Sequence, residues 1–246
     1  MRDNKRVSRR KCLRKIGISA SAIATIPTSS AAKNTGKKDP GELKLDTSFD
    51  PSSKNETEHF VAASFERSEN LSKSKTIKGR QELIKELSKR QQESIIDILE
   101  SVPHTCKVTR TTDQSINQSQ DVGTSGYSSY PYKLSCYINP PLVGEKHAFD
   151  YKHTIRWAHN GSTISNPEAS ATGTGFSYYL VNWNYTGSTR DDINNAGNHF
   201  TSQKTGSFRN CIAYSFNTVC DTDQAYSELL GDYSGSGAVL NHNCHG

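Results

Sequence analysis

The chain has 246 residues, of which 33% are hydrophobic, and its formal charge of +5 comes from 30 basic and 25 acidic side chains. Eight basic residues and one acidic residue lie within the first 32 positions, so the remainder has 22 basic and 24 acidic side chains and a formal charge of −2. A nearly neutral remainder has no basic field to attract nucleic acid or an anionic membrane, and we exclude both as partners.

The first 32 residues have the three parts of a secretory signal peptide. A basic head spans residues 2–15, a mildly apolar stretch of 11 residues follows at 16–26, and the small side chains of Ser30-Ala31-Ala32 suit a signal peptidase. The apolar stretch is shorter than the roughly 20 residues that cross a bilayer. We therefore expect removal of residues 1–32 and a secreted, extracellular chain that begins near Lys33, with no stable membrane insertion. The alternative is a disordered basic tail.

The basic head contains the pair Arg9 and Arg10. The segment Ser8-Arg9-Arg10-Lys11-Cys12-Leu13 resembles the twin-arginine export motif, with Cys12 where that motif usually has an aromatic residue. Cys12 precedes the apolar stretch, so it is wrongly placed for a lipoprotein anchor. The resemblance implies export through the twin-arginine pathway.

Composition divides the remainder into three pieces. Residues 33–53 have few apolar side chains and predict a linker, whereas residues 54–102 have apolar side chains at helical spacing. Ser88 and Gln91 have the spacing of a capping box. We predict a helical hairpin that breaks at Ser88, with one unbroken helix as the alternative. Its apolar stripe either packs within the molecule, or belongs to a removable pro-segment or a partner surface.

The helical region also carries a resemblance. The stretch after Phe49-Asp50-Pro51 is similar to a helical segment of exported proteins of salt-loving archaea, and with the signal segment this resemblance covers residues 1–102. It implies a twin-arginine-exported, haloarchaeal-type secreted protein. It implies no activity.

The third piece, residues 103–246, has the pattern of β structure. Apolar and polar side chains alternate from Phe149 to Trp157, directly before the tight-turn pair Asn160-Gly161. Residues 176–185 are apolar or aromatic on both faces, which is typical of a central strand. We predict an α+β protein in which a short N-terminal helical hairpin precedes a mainly antiparallel β-sandwich or open barrel with disulfides.

Cysteine usage suits an exported domain. An odd number of cysteines remains after the signal peptide, which predicts two disulfides and one free thiol. We expect one bridge between Cys106 and Cys136, and a second that joins the Cys211–Cys220 region to itself or to the C-terminus. The candidates are Cys106, Cys136, Cys211, Cys220 and Cys244.

Two groups of histidines could do chemistry. His242, Cys244 and His245 place three potential zinc or copper ligands within four residues, although a bridged cysteine and solvated histidines are the simpler interpretation. These are weak metal candidates, and we expect no metal.

His153 and His159 lie on one face of the predicted strand, with Asp150 nearby as an orienting group for a general base. The alternative is that both histidines are half-buried on an aromatic face. The sequence has no HExxH motif, nucleophile elbow or phosphate-binding glycine loop. We therefore assign no catalytic residue and no cofactor.

The β region has more aromatic side chains than are needed to fill one small core. Tyrosine and tryptophan combine contact area with a polar tip and are common in binding surfaces, although they also fill cores and their rims. The residues concerned are Tyr127, Tyr130, Tyr132, Tyr137, Tyr178, Tyr179, Trp183, Tyr185 and Tyr233.

Three functions follow as hypotheses. The preferred one is a secreted, non-catalytic binding or surface-interaction protein, whose partner is an unknown protein or carbohydrate at the cell surface. The second is a secreted antagonistic protein that resembles a bacteriocin or halocin. The third is an extracellular hydrolase built around His153 or His159.

Overall fold

The computed structural model of the protein describes residues 45–69, 71, 73–109, 126–212 and 219–245. The predicted signal peptide, with Arg9 and Arg10, and the first part of the predicted linker lie outside these ranges. The described residues form three helices and eight strands. Within the described ranges, no helix combines the length and the apolar character needed to cross a bilayer.

The helices are α1 (Lys54–Glu69), α2 (Lys73–Glu86) and α3 (Lys89–Glu100). The predicted break at Ser88 is confirmed, because Ser88 is the N-cap of α3. Its hydroxyl accepts a hydrogen bond from the Gln91 amide at 3.3 Å, and Gln91 Oε1 accepts one from the Ser88 amide at 2.9 Å. This capping box satisfies backbone donors that a helix start leaves unpaired.

The helices do not form the simple hairpin that the sequence predicts, since α3 packs against α1 rather than along α2. Part of the predicted linker contributes to this arrangement. Gln91 Nε2 donates hydrogen bonds to the carbonyls of Thr47 at 2.7 Å and Phe49 at 3.0 Å. The Phe49 ring stacks on Phe60 of α1 at 4.6 Å. Residues 45–49 therefore fasten α3 to α1.

The strands form two antiparallel sheets, each with its strands in sequence order. Sheet A consists of β1 (His104–Thr109), β2 (Gly126–Ile138), β3 (Lys146–His159) and β4 (Ile164–Gly175). Sheet B consists of β5 (Val181–Asn195), β6 (His199–Ile212), β7 (Val219–Asp232) and β8 (Gly237–His245). The predicted mainly antiparallel architecture is confirmed.

The two sheets pack face to face as a sandwich, with β3 against β6 and β7, and β1 and β2 against β8. Alternate residues of each strand project inward, as a strand period of two requires. Phe149 of β3 stacks on Phe208 of β6 at 4.0 Å, and Trp157 meets Phe200 edge-on at 5.4 Å. All four rings are at most 2% exposed. These inter-sheet aromatic contacts form the centre of the core.

The prediction of one strand over residues 176–185 is wrong for residues 176–180. The strand begins only at Val181, and the preceding residues cross from sheet A to sheet B. Gly175 makes this crossing close, because a Cβ atom there would collide with the Trp183 carbonyl. The apolar side chains of Tyr178, Tyr179 and Leu180 are buried even so. The sequence predicts a buried strand here because a buried connection and a buried strand are equally rich in apolar and aromatic residues.

The helices cover the end of the sandwich where β4 leads into β5. Arg80 of α2 donates hydrogen bonds to three backbone carbonyls of this crossing: that of Tyr178, that of Tyr179 at 2.9 Å and that of Val181 at 3.3 Å. It also donates to the side-chain oxygen Oδ1 of Asn182 at 2.7 Å. Burial lowers the pKa of this guanidinium to about 10. One cationic side chain therefore connects the helices to the sheet crossing.

Candidate functional site

The opposite end of the sandwich is formed by turns. It contains the β3–β4, β5–β6 and β7–β8 connections, of which the last two are joined by a 2.9 Å hydrogen bond from the Tyr233 amide to the Asn198 carbonyl. Two of the turns are fixed by side-chain acceptors. Asn160 Oδ1 accepts from the Thr163 amide at 2.8 Å, and Asp232 Oδ1 accepts from the Ser234 amide at 2.9 Å. Asn and Asp favour such turns because they replace backbone acceptors. We call this end the turn end.

Two tyrosines at the turn end are exposed. Tyr127, at the start of β2, is 55% exposed, and Tyr233, in the β7–β8 turn, is 43% exposed. The other aromatic residues singled out in the sequence are buried or half-buried: Tyr130, Tyr132, Tyr137, Tyr178, Tyr179, Trp183 and Tyr185. Most of the apparent aromatic excess therefore fills the core and its rims, and Tyr127 and Tyr233 remain exposed on two different elements of the turn end.

His159 lies at the same end, at the last position of β3. Its Nε2 is 3.1 Å from Ser128 Oγ, so the two side chains are within hydrogen-bonding distance. The β7–β8 turn lies over this pair. Gly235 has φ = +84°, and a Cβ atom there would come within 2.6 Å of His159 Nε2. A glycine is thus required both by the backbone conformation and by the space that His159 occupies. The pair therefore lies directly beneath the β7–β8 turn.

His153 lies in the interior between the sheets and is 0% exposed. Its Nδ1 is 2.8 Å from Ser227 Oγ, and its Nε2 is 3.1 Å from Ser202 Oγ. Both ring nitrogens therefore have partners on sheet B, as a buried imidazole requires. A fully enclosed side chain with both nitrogens engaged has no path to a substrate.

Asp150 does not orient His153, because the two side chains project from opposite faces of β3. On the outer face, Asp150 contacts Ser135 Oγ at 2.7 Å, Lys133 Nζ at 2.9 Å and His147 Nε2 at 2.7 Å. Burial alone would raise the pKa of Asp150, but the hydrogen bonds from Ser135, Lys133 and His147 outweigh it and hold the pKa below its usual range. In this cluster the carboxylate is central, so the serine hydroxyl donates to Asp150 rather than to the imidazole of His147. The arrangement differs from that of a catalytic triad.

An aromatic ladder adjoins the Asp150 cluster. The His147 ring stacks between Tyr137 at 4.7 Å and Phe176 at 4.1 Å, and Lys107 Nζ lies 4.9 Å from the Tyr137 ring centre. The ladder crosses β1, β2 and β3 on the outer face of sheet A. Cross-strand pairs of this kind stabilise a sheet, and their mutual stacking covers the ring faces that a ligand would use. We therefore regard the ladder as structural.

The cysteines within the described ranges form two bridges. The bridge between Cys211 and Cys220 agrees with one of the predicted pairings. Cys106 is bonded to Cys244 instead of Cys136, which corrects the other one. The physical reason is that β1 lies next to β8 across the sandwich as well as next to β2 within sheet A. Among the described residues, Cys136 is the free cysteine.

The metal candidates at the end of the chain are separated by this pairing. Cys244 is bridged, and the exposed His242 ring lies 6.2 Å from the Tyr132 ring. The side chain of His245 lies outside the described residues. Three sulfur atoms, those of Cys106, Cys136 and Cys244, lie within 4.8 Å of one another. They offer three thiolate ligands, suited to zinc or copper(I), only if the bridge is reduced.

These observations define the protein as a helix-capped antiparallel β-sandwich with an exposed turn end. No family model, curated protein or solved structure matches the chain significantly.

Several contacts at these sites were missed in the sequence. Ser128, Ser135 and His147 were not candidates, because their roles depend on the register of β2 against β3. The alternation of polar residues on β3 indicates that Asp150 faces outward. It does not reveal which residues of β2 lie beside it.

Proposed function

We propose that the protein is a secreted, non-catalytic binding protein and that the turn end is its recognition surface. The observation that carries the proposal is that Tyr127, at the start of β2, and Tyr233, in the β7–β8 turn, are both exposed at this end. Exposed tyrosines supply large, rigid contact area with a hydroxyl for hydrogen bonding. The partner is a protein or carbohydrate at the cell surface.

The location of the helices also supports the turn end as the recognition surface. The opposite end of the sandwich is covered by α1 and α2, through Arg80 and through the 4.8 Å contact between Phe65 and Tyr178. A partner at the turn end meets a surface supported by three short turns. Such turns on a rigid sandwich are a common location for binding residues.

The test is the binding of fluorescently labelled protein to intact cells of the producing strain. We expect the double variant Tyr127→Ala/Tyr233→Ala to bind at least about tenfold more weakly, the loss typical of removing two central anchors. Leu142→Ala is the matched control, because Leu142 is also an exposed apolar residue, at 61%, but lies in the β2–β3 turn at the helix-covered end. Equal binding by the double variant and the wild type would refute the proposal.

Treatment of the cells distinguishes the two partner classes. Loss of binding after protease treatment identifies a protein partner, and loss after periodate oxidation identifies a carbohydrate. Binding that survives both treatments contradicts the assignment of the partner.

The Ser128–His159 pair favours one alternative, an extracellular hydrolase with Ser128 as nucleophile and His159 as base. Their separation of 3.1 Å is within the range for such a pair. Hydrolysis of an ester and peptide panel, abolished by both Ser128→Ala and His159→Ala, would establish this alternative. Hydrolysis unchanged by either substitution, or undetectable in the wild type, would exclude it.

A further inference from the structure

Three cysteines from three strands meet at one side of the sandwich. Cys106 lies on β1, Cys136 on β2 and Cys244 on β8. Cys106 is bonded to Cys244, and the free Sγ of Cys136 lies 2.8 Å from Cys106 Sγ. The free thiol is therefore in contact with one sulfur of an existing disulfide.

We propose that Cys106 exchanges its disulfide partner between Cys244 and Cys136. The backbone already accommodates the second bridge, because Cys106 and Cys136 are direct partners in the β1–β2 register. The same protein contains such a cross-strand bridge elsewhere. Cys211 and Cys220 are direct partners in the β6–β7 register and are bonded, with their Cα atoms 4.1 Å apart. A disulfide between register partners is therefore compatible with strands of this fold.

The exchange is an internal thiol–disulfide reaction. Cys136 gives up its proton to solvent base, and its thiolate attacks Cys106 Sγ. The bond between the sulfurs of Cys136 and Cys106 forms as the bond between Cys106 and Cys244 breaks. Cys244 leaves as a thiolate and takes up a proton. One disulfide and one thiol are present before and after the reaction, so no external oxidant or reductant is consumed.

The two bridges have different structural consequences. The Cys106–Cys244 bridge joins the edge strand of sheet A to the edge strand of sheet B. The Cys106–Cys136 bridge lies within sheet A, so its formation removes the covalent link between the sheets at this side. The exchange also moves the free thiol from Cys136, which is 1% exposed, to the partly exposed Cys244. A surface thiol in place of a buried one can then react with external disulfides.

The surroundings of Cys136 keep the exchange slow at neutral pH. Burial raises the pKa of this thiol, and the nearby carboxyl groups of Asp223 on β7 and Asp150 on β3 raise it further. The Tyr132 hydroxyl, on the same strand, is a further titratable group in electrostatic contact with it. Because the thiolate is the attacking species, we expect the exchange rate to rise about tenfold per pH unit below this pKa.

Two single variants test the proposal, both in the full chain carrying Cys12→Ser to remove the thiol of the predicted signal segment. Free thiols are titrated after unfolding without reductant, and linked peptides are mapped by mass spectrometry. In Cys136→Ser we expect no free thiol and a Cys106–Cys244 peptide. In Cys244→Ser we expect no free thiol and a Cys106–Cys136 peptide. The Cys211–Cys220 peptide should be present in both and serves as the internal control.

The chain with Cys12→Ser alone provides the decisive measurement if either variant fails to fold. After incubation at alkaline pH without added thiol and quenching with acid, we expect an alkylation label at Cys244 and a new Cys106–Cys136 peptide. A label confined to Cys136 under these conditions would overturn the proposal. Two free thiols in folded Cys244→Ser would overturn it as well.

Discussion

The indole Nε1 of Trp183 donates a 2.6 Å hydrogen bond to Asp223 Oδ2 between strands β5 and β7. Both residues are 1% exposed, so this pair places a carboxyl group inside the sandwich with an aromatic donor beside it. A buried polar group that loses its hydrogen-bond partner retains the full cost of its removal from water. Substitution of either residue of this pair should therefore destabilise the core.

We expect Trp183→Phe to reduce the free energy of unfolding by about 2–3 kcal/mol, because it leaves the Asp223 carboxyl without this donor. The control is Trp157→Phe. Trp157 Nε1 donates at 2.8 Å to the neutral Asp232 carbonyl, which also accepts from the Gly235 amide at 3.1 Å. We expect a smaller loss, of about 1 kcal/mol. Urea unfolding followed by circular dichroism measures both. Equal losses would show that ring size rather than the hydrogen bond determines the effect.

The two disulfides should differ in their contribution to stability. The Cys106–Cys244 bridge closes a loop with a sequence separation of 138, and Cys211–Cys220 closes one with a separation of 9. Chain-entropy arguments give about 5 kcal/mol for the first and about 2.5 kcal/mol for the second.

The variants for this comparison are Cys106→Ser/Cys136→Ser/Cys244→Ser, which prevents the cluster from pairing again, and Cys211→Ser/Cys220→Ser. We expect the triple variant to be less stable than the double variant by about 2 kcal/mol in denaturant unfolding. If the double variant were the less stable one, local packing rather than loop closure would govern the effect.

Arg80 should control the docking of α2 on the sheet crossing. We expect Arg80→Met to destabilise the protein by about 2–4 kcal/mol, because the substitution leaves several acceptors of the crossing without their donor. Lys78→Ala, an exposed position of the same helix, is the control and should change stability by less than about 0.5 kcal/mol. Hydrogen exchange adds a local readout. Amides of α2 should lose protection before those of β6, and uniform loss would contradict a local role for Arg80.

The Asp150 cluster predicts an acid dependence of stability. The pKa of Asp150 is lowered in the folded state, since its hydrogen bonds outweigh the effect of burial. A carboxyl group with a lowered pKa stabilises the fold above its unfolded pKa of about 4, and this stabilisation disappears as the pH falls through the folded value.

We therefore expect Asp150→Asn to be less stable than the wild type at pH 7, with a difference that shrinks as the pH falls below about 4. Thermal unfolding across this pH range measures the difference. Asp221→Asn, which alters an exposed carboxylate of β7, is the control. A difference for Asp150→Asn that is constant with pH would show that the substitution acts through packing alone.

Local patterns predicted local structure well. The Ser88–Gln91 spacing identified the start of α3, because a capping box depends on residues three apart. Strict alternation from Phe149 to Trp157 identified β3, because one face of that strand is buried and the other is not. The Cys211–Cys220 bridge was among the expected pairings, since a nine-residue separation suits neighbouring strands of a hairpin.

Features that depend on sheet-to-sheet packing could not be predicted. Cys106 has one close cysteine within its sheet and another across the sandwich, and no sequence pattern distinguishes them. The burial of Tyr178 likewise depends on which end of the sandwich the helices cover. The contrast between exposed Tyr127 and buried Tyr132 depends on which face of β2 is turned toward sheet B. Sequence composition gives the number of aromatic side chains but not this distribution.

The strand order of the two sheets has a kinetic consequence. Every hydrogen-bonded pair of long strands joins consecutive strands, so each sheet grows by closing one hairpin after another at small loop-closure entropy. The long-range step is the association of the completed sheets. Substitutions in the turns, such as at Gly235, should therefore mainly slow refolding, whereas substitutions at the Phe149–Phe208 contact should mainly accelerate unfolding.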